Sequence, residues 1–235
     1  MKKIYYSTIP ESITDHEYLH IPIKNSKNIF STENIFSSCP AWNHQNSRTF
    51  TVYASSNFHI QYDIESNQLH SNTLTQSEFD DCIGIGPLWN GDLCTIQIIK
   101  LFSNFYWTNH KNIWISVLPH PLTSLNNNFY HCGAWFNISN WPRVINIGAI
   151  MVDKTKPIII KRGDPLYNIK FHTDDQNDKF DLIYTKLDEV EFKKSAKRNY
   201  FVQHRNHSEG FDYQKIIFES KNNSGKCPFK FFWNK

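Results

Sequence analysis

Short runs of alternating apolar and polar residues, separated by turn-forming residues, recur along the chain and constrain its fold most. In the clearest, "IIIKRGDPLYNIKF", three isoleucines lead to a Lys-Arg-Gly-Asp-Pro turn and a second alternating run follows. Alternation with a period of two residues directs one apolar face toward a core, and it is typical of half-buried strands. Aromatic residues make up 15% of the 235 residues, and such side chains favour pleated surfaces over helices.

The same pattern predicts strands over most of the chain. We expect them at 3–9, 19–24, 50–53, 58–64, 94–107, 112–118, 130–138, 144–152, 157–161, 166–171 and 180–184. Residues 65–93 show little periodicity and predict a long loop with at most one added strand. Turn signals at intervals of roughly 8–12 residues indicate a sandwich or a barrel.

One segment, 187–203, has the features of a helix. Asp188 can cap its start, acidic residues follow in the first turn, and basic residues come later, which suits the helix dipole. The predicted fold is therefore all-β, a single β-sandwich or jelly-roll-like barrel with one C-terminal helix. We expect one domain over 1–235, with 172–235 as a helix and strand extension.

The net charge and the cysteine pattern indicate which partners and which cellular compartment to expect. The net charge of +3, with a pI near 8.5, is mild, so nucleic acid is not indicated as a partner. Five cysteines with no CxxC pair favour free thiols in a reducing cytoplasm. No window has the apolar length of a membrane helix, and the first residues lack the apolar run of a signal peptide.

The Lys-Arg-Gly-Asp-Pro segment is interpreted as a corner between strands and not as a ligand-binding loop. Gly163 can adopt a positive φ, Asp164 can bond the local backbone, and Pro165 fixes the exit. Cupins and trimeric dUTPase-like β-rolls have a similar Gly-Asp step. A dUTPase-like enzyme also needs a Ser-rich phosphate motif and an Asp-bearing sugar loop. Neither is recognisable in this sequence, which argues against nucleotide hydrolysis.

A metal site is the first candidate chemistry. An iron-dependent oxygenase on a cupin-like barrel binds its metal through a His-x-Asp element and a distant histidine. His172 and Asp174 fit the short element, and His204 or His207 could supply the third ligand. In cupins the His-x-Asp element comes before the Gly-Asp corner, whereas here it follows, so "HTDDQND" also fits an ordinary polar loop. Iron is the cofactor that this hypothesis implies.

A tryptophan platform for sugars or bases is the second candidate. Trp42, Trp89 and Trp141 stand beside Pro, Gly or Asn in predicted loops, and we expect them to be the exposed tryptophans. In an all-β protein most tryptophans lie in the core, so burial of these residues is the alternative.

Several segments resemble an uncharacterised β-rich family of T4-like phages, cyanophages and some bacteria, known as domain of unknown function 6065. The segments are "CPAWNHQNSRTFTVYASSNF", "FYWTNHKNIWISVLPHP", "YHCGAWFNISNW" and "IIIKRGDPLYNIKF". The resemblance covers roughly 39–171, lacks an expected proline at the Ser-rich loop, and does not extend over 172–235. It implies a phage or bacterial origin and transfers no catalytic residue, because the family has no established activity.

Three functions follow from these features, of which the first is preferred and the other two are equal alternatives. The first is a phage-type accessory or structural protein that acts through protein-protein contacts, in the virion or by self-assembly, since no coherent catalytic set is visible. The second is the cupin-like iron-dependent oxygenase, and the third is a carbohydrate- or nucleotide-binding β module. The expected location is the cytoplasm of a phage-infected bacterial host, or the virion, without membrane association.

Overall fold

The computed structural model describes residues 1–8, 23–26, 38–66, 68–90, 93–98, 104–121, 123, 127–145 and 147–185. The predicted helix at 187–203 lies outside the described residues. None of the described helices has the length and apolarity required to span a bilayer.

Strands dominate the described part of the chain. In chain order they are β1 (Lys2–Thr8), β2 (Ile23–Asn25), β3 (Thr49–Tyr53), β4 (Phe58–Asp63), β5 (Gln68–Ser71), β6 (Ile83–Asn90), β7 (Leu93–Ile98), β8 (Asn104–Trp107), β9 (Trp114–Pro119), β10 (Phe129–His131), β11 (Ala134–Asn137), β12 (Arg143–Val144), β13 (Ile147–Met151), β14 (Ile158–Ile160), β15 (Pro165–His172) and β16 (Phe180–Tyr184). Two short helices, α1 (Pro40–Ser47) and α2 (Gln76–Cys82), accompany them.

Within the described residues the strands form four sheets. A five-stranded sheet has the order β11-β9-β15-β3-β2, and a three-stranded sheet has the order β14-β4-β5. Two four-stranded sheets have the orders β12-β8-β1-β16 and β10-β13-β7-β6. Neighbouring strands are antiparallel except β1 and β16, which run parallel. The fold is an all-β sandwich, as the alternating pattern predicts.

One apolar core joins side chains from all four sheets. Its largest fully buried members are aromatic or β-branched, as expected for pleated surfaces that face one another. They include Tyr106, Tyr167, Phe58, Phe129 and Phe171. His131 is 2% exposed and its ring centroid lies 4.9 Å from that of Tyr167, so this histidine belongs to the core.

The Lys-Arg-Gly-Asp-Pro segment is the corner that the sequence predicts. It takes the chain from β14 in the three-stranded sheet to β15 in the five-stranded sheet. Gly163 has a φ of 89°, and the Lys161 N–H donates to the Asp164 carboxylate at 2.8 Å. The Arg162 N–H donates to the side-chain oxygen of Asn57 at 3.0 Å. The corner is thus held by backbone N–H groups that donate to the side chains of Asp164 and Asn57.

Several predicted elements differ from the structure. The strands expected at 94–107, 130–138 and 144–152 are wrong as single elements, because each segment contains two strands. The long loop expected at 65–93 is also wrong, since it contains β5, α2, β6 and the start of β7. Helix α1 was not predicted, because it buries none of its residues and has no apolar periodicity.

Candidate ligand-binding face

The five-stranded sheet turns one face to the core and carries a polar and aromatic surface on the other. On β9 the residues Ile115 and Val117 are fully buried, while the alternating Trp114 and Ser116 are half-buried. β15 alternates in the same way. We call the accessible surface over β11, β9 and β15 the tryptophan face. It consists of Trp114, Ser116, Trp135, Lys170 and His172.

Two tryptophan rings pack against each other in a tilted arrangement at one end of this face. The ring centroids of Trp114 and Trp135 are 4.7 Å apart, with 32° between the ring planes. Trp135 is 57% exposed, which is unusual for the largest apolar side chain. The stacking partner fixes one side of the Trp135 indole. The pair therefore offers solvent a preorganised aromatic surface.

Asn112 holds the inner member of the pair. Its side-chain oxygen accepts a hydrogen bond from the Trp114 indole N–H at 3.2 Å. Its side-chain amide donates to the Asp174 carboxylate at 2.5 Å. Asn112 has a φ of 58°, a left-handed conformation that asparagine tolerates better than most residues. One residue at the start of β9 thus orients both the indole and a carboxylate.

Polar groups continue from the tryptophans across the sheet. Register places Trp135 opposite Ser116, Ser116 opposite Lys170, and Lys170 opposite Thr49. The Ser116 hydroxyl and His172 Nε2 are 2.8 Å apart and hydrogen-bonded. Thr49 is buried and donates to the Gln45 carbonyl of α1, so α1 ends the accessible part of the row. An aromatic end and a polar end therefore share one exposed strip.

The polar end is positively charged. The Arg48 guanidinium, 3% exposed, donates to the Asp175 carbonyl at 2.9 Å and lies over the Phe180 ring. Burial, and then the charge of Arg48, lower the pKa of Lys170. Burial, followed by the charges of Lys170 and Arg48, lowers the pKa of His172 below its usual 6.5, so its imidazole is neutral at pH 7.

The tryptophans named from sequence do not form this surface. Trp141 is 8% exposed, and the expectation that it is exposed is wrong. It packs edge-on against Phe136 at 5.9 Å, and the Arg143 guanidinium lies 4.0 Å from its ring centroid. Trp42 is half-buried on α1, and Trp89 lies in β6, where the structure describes the backbone alone. A ligand-binding role for Trp42 and Trp89 stays a prediction.

The residues named as metal ligands make other contacts. His172 is engaged with Ser116, and Asp174 with Asn112, while His204 and His207 lie outside the described residues. Within the described ranges no group of three His, Cys, Asp or Glu side chains could hold a metal ion. The iron site stays a prediction.

The sequence itself contains a signal that Trp135 is exposed, although it lies in a strand and not in a loop. In "AWFNI" the apolar Phe136 and Ile138 are two residues apart, and both are buried. Alternation then places Trp135 on the opposite face. A tryptophan in a strand is therefore buried or exposed according to the face that it occupies.

Comparison with known proteins gives matches to solved structures alone. No family model and no curated protein matches the chain, and the resemblance to domain of unknown function 6065 stays a prediction. Solved structures do match. A dUTPase from phage phi11 of S. aureus is 8% identical with a TM-score of 0.33, over 74% of this chain and 97% of that chain. A mutant dUTPase of Staphylococcus bacteriophage 80alpha is 6% identical with a TM-score of 0.33, over 73% and 96%. Another 80alpha mutant, with dUpNHpp, has the same identity and TM-score, over 73% and 88%.

These matches correct the first functional prediction. A phage-type accessory or structural protein without a catalytic site was preferred because no catalytic set was visible in the sequence. That prediction is wrong, because the three structures named above are of dUTPases, which are enzymes. The carbohydrate- or nucleotide-binding module, one of the two alternatives, fits the findings better.

Proposed function

We propose that the protein binds a ring-shaped ligand, a nucleotide or a carbohydrate, on the tryptophan face. The observation that carries the proposal is the exposed Trp135 indole, which packs against Trp114 with ring centroids 4.7 Å apart and lies beside the polar Ser116. A buried tryptophan would add only to the core, whereas an exposed and held one adds a surface on which a flat ring can stack.

The chemistry of the strip fits ligands with one apolar face and several polar edges. Bases and sugar rings both stack on indoles, and base stacking contributes about 1–3 kcal/mol per base. Ser116 lies one strand spacing from Trp135, and its partner His172 lies on the next strand, so a hydroxyl and an imidazole can bond ligand hydroxyl or carbonyl groups. Free nucleotides and sugars occur in the cytoplasm, which agrees with the expected location in an infected host.

The test is site-specific NMR on nitrogen-labelled full-length protein. Adenosine, AMP, glucose and N-acetylglucosamine are added in turn, and the indole N–H resonances of the tryptophans are followed. We expect at least one ring ligand to shift the Trp135 resonance in a saturable way. The Trp135→Ala variant should then lose at least ten-fold in affinity, since the stacking energy corresponds to about one to two factors of ten.

The matched control is Trp42→Ala, which removes another partly exposed tryptophan that lies on α1. Its affinity should equal that of the unmodified protein. The proposal is wrong if no ligand of the series binds, or if Trp42→Ala abolishes binding while Trp135→Ala leaves it intact.

A further inference from the structure

The tryptophan face also contains a site for a negatively charged group on the same ligand. We propose that Lys170, with Ser116 and His172 beside it, binds the phosphate of a ligand whose ring stacks on Trp135. This inference rests on the proposed function and names the class of ligand, a phosphorylated ring compound such as a nucleoside monophosphate or a sugar phosphate.

The distance between Lys170 and Trp135 allows one ligand to contact both side chains. Trp135, Ser116 and Lys170 are consecutive partners across β11, β9 and β15. Neighbouring strands are about 4.8 Å apart, so the Trp135 and Lys170 backbones are about 10 Å apart. The flexible four-carbon side chain of Lys170 can bring its ammonium group closer to Trp135 than the backbone distance. A nucleotide, with a phosphate one sugar away from its base, has this extended shape.

The charges around Lys170 favour an anion. Among the described residues Lys170 makes no ion pair, while Arg48 adds a second positive charge close by. Burial and then neighbouring positive charges lower the pKa of both Lys170 and His172. Arg48 is fixed in place by its bond to the Asp175 carbonyl. Asp174, two residues beyond the end of β15, already accepts a hydrogen bond from Asn112. The Asp178 carboxylate interacts with the charge of the buried Arg48. A bound phosphate would therefore place its negative charge beside Lys170, which has no ion-pair partner among the described residues.

The hydrogen-bonding groups beside the lysine complete the site. Ser116 and His172 are joined at 2.8 Å, and either atom of the pair can act as the donor, depending on the histidine tautomer. A serine O–H released from this bond, or a histidine N–H, can donate to a phosphate oxygen. Charge-assisted bonds of this kind are roughly twice as strong as neutral ones.

The experiment compares AMP with adenosine on the full chain, by calorimetry and by the Trp135 resonance. We expect AMP to bind about ten-fold more tightly than adenosine, and added salt to reduce this advantage. Inorganic phosphate should compete with AMP and leave adenosine binding unchanged. Lys170→Gln should reduce AMP affinity to the adenosine level without changing adenosine affinity.

Lys161→Gln is the matched control, because Lys161 is an exposed lysine of the corner, outside the tryptophan face. It should bind AMP like the unmodified protein. Equal affinities for AMP and adenosine, or equal losses in the two lysine variants, would overturn the phosphate site and leave the ring-binding function standing. If neither adenosine, AMP nor the sugars bind, the ring-binding function fails and the phosphate site fails with it.

Discussion

Ala54 and Asp164 join the two connections that cross between the five-stranded and the three-stranded sheet. The Ala54 N–H donates to the Asp164 carbonyl at 2.8 Å, and the Gly163 N–H donates to the Ala54 carbonyl at 2.9 Å. The connection from β3 to β4 and the corner from β14 to β15 are therefore bonded to each other. Two chain crossings that are distant in sequence behave as one structural unit.

Gly163→Ala should destabilise this unit. At a φ of 89° a Cβ is strained by the backbone itself, and an added Cβ would meet no other atom within 4 Å. We therefore expect the free energy of unfolding to fall by about 1–2 kcal/mol, as measured by urea denaturation. Arg162→Ala is the control, with a change below about 0.5 kcal/mol, because only its backbone is bonded. Equal losses in the two variants would contradict the role of the glycine.

The buried His131 should make stability depend on pH. Burial lowers the pKa of His131 from 6.5 to about 4, so the folded protein holds it neutral while the unfolded chain binds a proton below 6.5. Stability is then complete above pH 6.5 and declines as the pH falls from 6.5 to 4. The loss from this residue is about 3 kcal/mol at the low end.

Urea denaturation between pH 7 and pH 4 measures this effect. His131→Phe keeps a ring beside Tyr167 and removes the titrating group, so its stability should fall less steeply over this window. Parallel pH curves for the variant and the unmodified protein would show that His131 is not responsible.

Trp135 and Trp141 provide a matched pair of tryptophan substitutions. Trp141→Ala should cost about 3–5 kcal/mol of unfolding free energy, because it empties a volume that Phe136 and Arg143 surround. Trp135→Ala should cost about 1 kcal/mol, mainly the contact with Trp114. Thermal and urea unfolding both report the difference. A large loss of stability in Trp135→Ala would mean that Trp135 mainly stabilises the fold and does not mainly form a ligand-binding surface.

Asn112 should prove to be a positioning residue for the aromatic pair. Asn112→Gly keeps the left-handed backbone and removes the side chain, so the Trp114 indole N–H resonance should move while the fold persists. Asn112→Ala removes the same bonds and adds backbone strain, so it should be less stable than the glycine variant by about 1 kcal/mol. An unchanged Trp114 resonance in both variants would argue against the positioning role.

The strands and the corner were predictable because their signals are local. Ile158–Ile160 and the alternation through Phe171 predict strands, and Gly163 followed by Asp164 and Pro165 predicts the turn. The breaks inside long apolar runs were not predictable in the same way. Cys132 and Gly133 divide β10 from β11, and these strands pair in different sheets, a choice made by contacts distant in sequence.

The candidate site was less predictable because it depends on register. Trp135, Ser116 and Lys170 come from three strands, and only the observed pairing places them side by side. Helix α1 is hard to predict for a related reason, because none of its residues is buried. Pro40 at its first position is almost the only feature of the sequence that indicates a helix.

The parallel pairing of β1 with β16 has a consequence for synthesis on the ribosome. Lys2 pairs with Phe180 and Tyr6 with Tyr184, so β1 emerges long before this neighbour exists. Its other neighbour, β8, supplies Tyr106 opposite Tyr6 and also comes about a hundred residues later. A nascent strand with both edges open is a template for pairing with other chains. Both edges of β1 can therefore be paired only after residues 104–107 and 180–184 have been synthesised, and translation speed sets the length of that interval.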